Sequence, residues 1–302
     1  MASDHFCGQD ARSAPHHLSI LIALALALTF TLTGCKMVDK YAWRYFSGQY
    51  LTAAAAIDRG DIAELRAAVG GLEIDKPGRD HMTLMWYAIM KNQYPAVTVL
   101  TRLGSNPDKQ DVDGMGTPLT VALKRTDPTL LAALLDGGLS PDYQNRDGTS
   151  LMQQAVGSGE EPFPVVRLLV DRGADVNHRD SIHATALGDS IVSNHPDIAI
   201  YLIQHGADVT AFTMNGASVA YGVQVSIDDL QANAKQAIVS NYTLDNDGKP
   251  VVTETTPPPQ GAAPEGQALL RKYEELRALM MEKGAKFPPD SPAQVREQMK
   301  IK

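Results

Sequence analysis

Cysteine is nearly absent from this sequence: Cys7 and Cys35 are the only two in 302 residues. Two thiols cannot build a disulfide scaffold or a multi-thiolate metal site. Basic residues are scarce as well, 27 Lys+Arg against 35 Asp+Glu, for a formal charge of −8. With no excess to neutralise phosphates, the composition argues against nucleic acid as the main partner. The apolar run at residues 18–32 is fifteen residues long, short of the ~20 that a membrane-spanning helix needs. What is abundant is hydrophobic material, 44% of the chain with 21% charged residues. A chain of this size and balance is neither disordered nor fibrous, and it fills one large or two ordinary domains.

Catalytic motifs are missing too. There is no GxxxxGK[ST] and no HExxH, and Gly157-Ser158-Gly159 lacks the spacing of a nucleophile elbow. His178 and His183 straddle Asp180, but three polar residues in one loop are ordinary solvated side chains, as are the adjacent Glu160 and Glu161. The reading is therefore of a non-enzyme with no cofactor and no metal.

The amino terminus carries an address. The run at residues 18–32 is preceded by Arg12 and followed by Thr33 and Gly34, the layout of a secretory signal. The stretch before it holds Asp4 and Asp10, so the sequence leaves open where translation starts. Leu32-Thr33-Gly34-Cys35 resembles the lipobox of bacterial lipoproteins. That resemblance implies a signal peptide at 1–34, removal of Cys7 with it, acylation of Cys35 by palmitate-like chains, and, because Lys36 follows, a place on the outer membrane facing the periplasm. Buried acyl chains contribute ~0.8 kcal/mol per CH₂. Behind the anchor, Tyr41, Trp43, Tyr45, Phe46 and Tyr50 crowd into residues 35–50. They read either as a helix in the headgroup layer or as a cap on the first turn of the fold.

Short phrases recur through the middle of the chain: VGGLEID at 69–75, RLGSNPD at 102–108, DGGLSPD at 136–142, DRGADVN at 171–177 and QHGADVT at 204–210. Their glycines, Gly71, Gly104, Gly138, Gly173 and Gly206, are spaced by 33, 34, 35 and 33 residues. A second phrase opens at Thr83, Thr117, Thr149 and Thr185. Threonine caps a helix, proline tolerates its first position and leucine begins the buried stripe. The pattern resembles the ankyrin repeat, with Thr117-Pro118-Leu119 and the segment Gly173 to Asn177 as close matches, and Met85-Trp86-Tyr87 and Gly188-Asp189 as departures. The resemblance implies an all-α solenoid of about five to six helix-turn-helix repeats.

The expected organisation is repeats at 51–223, an insertion with a Pro-rich linker at 224–267, a closing helix of the last repeat at 268–288 and a polar, frayed tail at 289–302. Mobility is expected around 239–267. Leu119 and Leu168 are expected in the core. In this family partners dock on the loop tips and the inner face of the first helices. Carried over by position, the tips and inner helices offer Arg79, His81, Met90, Lys91, Asp113, Met115, Lys124, Arg125, Asn145, Arg146, Val156, Ser181, Ile182, Val192 and Met214. A protein partner is implied. The resemblance extends to ankyrin lipoproteins that act as immunity proteins against type VI secretion toxins such as phospholipase effectors. The alternatives are an envelope assembly or stress factor sheltering a periplasmic enzyme or cell-wall complex, and an enzyme hidden in the split last unit.

Overall fold

The computed structural model describes residues 41–109, 114, 116–158, 161–239, 243–244, 250–251 and 264–300. The signal run, Cys35, Asp113 and Met115 lie outside the described residues. A short helix α1 (Ala42–Tyr45) precedes six helix pairs. These are α2 (Gly48–Arg59) with α3 (Ile62–Ala68), α4 (Leu84–Met90) with α5 (Tyr94–Arg102), and α6 (Pro118–Lys124) with α7 (Thr129–Asp136). They continue with α8 (Leu151–Ser158) and α9 (Phe163–Asp171), α10 (Ala186–Val192) and α11 (Pro196–Gln204), and α12 (Val219–Val239) and α13 (Pro264–Glu282). A last helix, α14 (Pro292–Met299), follows.

The repeat is written in its hydrogen bonds. Each inner helix from α4 to α12 begins with a hydroxyl accepting a backbone N–H three residues on: Thr83 from Trp86, Thr117 from Thr120, Ser150 from Gln153, Thr185 from Gly188 and Ser218 from Tyr221, at 3.1–3.3 Å. Such a cap satisfies an amide that the helix itself leaves without a partner. Each outer helix from α5 to α13 ends with one recurring bond, in which the residue after the glycine donates back five positions: Ser105 to Leu100, Leu139 to Leu134, Ala174 to Leu169, Ala207 to Leu202 and Ala285 to Met280. That closure needs a left-handed residue, and Gly206 at φ +93° and Gly284 at φ +98° supply it without Cβ strain. Neighbouring units are then stitched side by side. Asp75 accepts from the Asn106 amide, Asp142 from Asp175 and Asn177 from Asp208, at 2.7–3.0 Å.

The core runs the length of the stack. Leu84, Leu119, Leu151 and Leu187 from inner helices, and Leu100, Leu134, Leu169 and Leu202 from outer ones, are all but fully buried. Each such leucine contributes about 1.5–3 kcal/mol by leaving water. Leu168 departs from expectation: it is half-buried at the edge of the core, while Val165, Val166 and Leu169 carry the buried face of α9.

The two ends are closed differently. At the first unit, Phe46 is buried and its ring meets Tyr87 edge-on at 5.5 Å, while Trp43 and Tyr41 stay exposed. Gly78 lets the chain pass there, since a Cβ would sit 2.4 Å from the Tyr45 carbonyl. The aromatic segment thus contributes one buried cap residue and leaves two rings in solvent.

At the far end, α12 runs on to Val239, well past the expected start of the insertion at residue 224. Thr243 then pairs antiparallel with Val251 in a two-residue ribbon. In α13, Tyr273, Leu276 and Met280 are buried, and the Tyr273 hydroxyl bonds the Ile191 carbonyl at 3.2 Å, tying α13 to the fifth unit. The tail corrects the expectation of fraying. Ser291 and Gln294 form a reciprocal capping box that starts α14, and Arg296 donates to the Asn215 carbonyl at 2.6 Å. A helix with no fully buried side chain still forms here because its cap and its docking bond are both present.

Candidate protein-binding face

Seven positions after their caps the inner helices carry equivalent residues: Met90, Lys124, Gly157, Val192 and Val225. All five are exposed, Val192 by 88% and Met90 by 46%. Three of the five, Met90, Val192 and Val225, are large apolar side chains left in water. The loop tips add Arg79, His81, Arg146 and Ser181, all exposed, together with Ile182 (55%) and Met214 (48%). Ile182 and Met214 are adjacent, because the Met214 amide donates to the Ile182 carbonyl at 2.9 Å.

Val156 does not belong to this face, being only 1% exposed. The phrase TSLMQQA is offset by one residue: its cap is Ser150 and not Thr149, so Val156 takes the buried place held by Ile89, Leu123 and Ile191. Gly157 is the exposed equivalent. Three other expected site residues are occupied inside the chain. Lys91 lies 3.7 Å from Asp58 and over the rings of Tyr41 and Tyr87 at 5.5 and 5.4 Å. Arg125 donates to the Tyr94 hydroxyl at 3.2 Å. Asn145 accepts from the amides of Asp147 and Thr149 at 2.9 Å and shapes its own loop.

Burial pushes the Asp58 carboxyl up, opposed by the hydrogen bond from Tyr87, and pushes the Lys91 amine down. This cluster braces the first two units and the aromatic segment. His178, which with His183 straddles Asp180, contacts the Gly148 carbonyl at 2.7 Å and Gln144 at 3.5 Å. Among the described residues no three His, Cys, Asp or Glu side chains gather as a metal site would require. Among the same residues no helix is long and apolar enough to cross a membrane.

Gly188-Asp189 departs from the usual residues of the repeat. At this point an apolar groove of about 350 Å³ opens between α10 and α12. Burial raises the Asp189 carboxyl to about 6, helped by the charge of Asp180 and opposed by a hydrogen bond from Gln153. The place that Tyr87, Val121 and Gln154 fill in earlier units is Gly222 in the sixth, so no side chain closes the groove there.

A sequence profile of ankyrin repeats, in three copies, matches residues 119–213. Human ankyrin repeat and SOCS box protein 6 is 30% identical over 130 residues, covering 41% of this chain and 31% of that protein. Human protein phosphatase 1 regulatory subunit 27 is 41% identical over 69 residues, covering 23% of this chain and 44% of that one. The chain therefore spans less than half of the length of either relative. The crystal structure of an ankyrin repeat domain from Acinetobacter baumannii AYE is similar with a TM-score of 0.48 and 19% identity, covering 78% of this chain and 98% of that one. The profile match and the repeated caps and closures agree: the fold is an ankyrin-repeat solenoid, with residues 119–213 as its matched repeats.

Proposed function

We propose that the chain is a protein-binding scaffold that covers its target with the inner helix ends and loop tips. The observation that carries this reading is that Val192 and Val225 stand exposed in the fifth and sixth units, where Ile182 and Met214 are exposed as well, on helices fixed by a continuous core. A rigid curved stack presents such side chains at little entropic cost. Within this reading the protein is a lipid-anchored envelope protein of the periplasmic side of the outer membrane, supported by Leu32-Thr33-Gly34-Cys35. Its most concrete role is that of an immunity protein, which occludes a type VI secretion toxin such as a phospholipase and needs no chemistry of its own.

The docking face is tested by an Ile182→Glu, Met214→Glu protein. It should keep its circular dichroism spectrum, since both side chains are exposed, and lose protection of cells that express a phospholipase toxin which the wild-type protein neutralises. Full protection by the folded double variant would move the interface elsewhere. The anchor is tested separately with an alkyne palmitate analogue. Wild type should take up label and Cys35→Ser should not; equal labelling of the two would overturn lipidation at that residue.

A further inference from the structure

The groove between the fifth and sixth units differs in kind from the rest of the face. Its walls are apolar, with Ile191 and Val192 on one side and Phe212 and Val219 on the other. Its volume, about 350 Å³, lies at the low end of the ~300–1,000 Å³ of small-ligand sites, the room needed by one or two long side chains. Asp189 is the one Asp, Glu, Lys or Arg among its lining residues. Asp180 adds a second negative charge close enough to act on it, while its own oxygen holds the amides of Ile182 and Ala184 at 3.0 and 2.8 Å. The cation on this tip, Arg179, stacks over the Phe212 ring at 5.5 Å. Gly188 keeps the floor open: a Cβ there would meet only the Thr185 hydroxyl at 3.7 Å.

Building on the protein-binding reading above, we propose that this groove receives a single arginine or lysine side chain from a loop of the partner protein, its methylenes against Ile191, Val192 and Phe212 and its cationic head on Asp189. A long basic side chain is the occupant that matches both halves of the site. Its stem covers apolar wall while its head stays polar, and a charge-assisted bond to a half-desolvated carboxylate is among the stronger ones a partner can make. An acidic side chain would face Asp189 as a like charge, and a purely apolar one would leave its charge met only by the hydrogen bond from Gln153. Exposed Ile182 and Met214 at the rim would take apolar neighbours of the basic residue.

Panning a random twelve-residue peptide library on the full chain tests this. Selected peptides should carry an Arg or Lys flanked by aliphatic or aromatic residues. They should bind Asp189→Asn at least tenfold more weakly, and bind as weakly to Gly188→Leu, which fills the groove and leaves the charge in place. Replacing the basic residue of a selected peptide by norleucine should cause the same loss. Peptides without a basic residue, peptides bound equally by Asp189→Asn, or no enrichment at all would overturn the proposal. If binding is instead abolished by Met90→Glu, Lys124→Glu and untouched by Asp189→Asn, the inner-face reading stands and the groove proposal fails. Peptides indifferent to both sets of substitutions would remove both.

Discussion

Asp189 holds its proton to about pH 6 against an ordinary 3.8, chiefly because the carboxyl is buried. Below pH 3.8 folded and unfolded chains are both protonated at this group, and it contributes nothing. As pH rises from there through 6 the unfolded chain has released the proton first, so a penalty of up to about 3 kcal/mol builds against the fold. Asp189→Asn should therefore raise the urea midpoint at pH 7.5 and leave it unchanged at pH 3.5. Equal midpoints at pH 7.5, or the same gain at both values, would contradict this account of the residue. A position that lowers stability where a neutral residue would not is often kept for binding. The sequence flags Gly188-Asp189 as unusual. It could not reveal a pocket, because that depends on Gly222 standing one unit away where other units carry Tyr87, Val121 or Gln154.

At the scale of the element, local chemistry decides register. The sequence pattern makes Thr149 the opener of the fourth unit, and every residue after it is then displaced by one. The hydrogen bonds choose Ser150, whose hydroxyl accepts from Gln153 while Gln153 accepts in return from the Ser150 amide at 3.1 Å. Ser150→Ala should cost about 1 kcal/mol in chemical denaturation, and Thr149→Ala much less. The reverse order would restore Thr149 as the cap. Periodicity marks the helices of units two to five, because their glycines and hydroxyl caps are visible in the sequence. It missed the extension of α12 to Val239 and the helix α14. Neither is announced by a repeating phrase: α14 is held by the Arg296 bond to Asn215 and has no fully buried side chain.

Across the whole molecule, the inner helices and loop tips leave several large side chains uncovered. Of the site residues read from position, Arg79, His81, Met90, Lys124, Arg146, Ser181, Ile182, Val192 and Met214 are exposed. Val156 is not, while Lys91, Arg125 and Asn145 are held by their own chain. Spacing gives the face of a helix, but only packing tells which polar side chains on that face are already engaged. On the proposed reading the partner meets this face and not the outer helices. The most direct test is a photo-crosslinking amino acid placed in living cells at Val192 and, separately, at Arg167, which is also exposed but sits on the outer helix α9. The account predicts one discrete protein adduct from position 192 and none from 167; an adduct from 167 alone would contradict it.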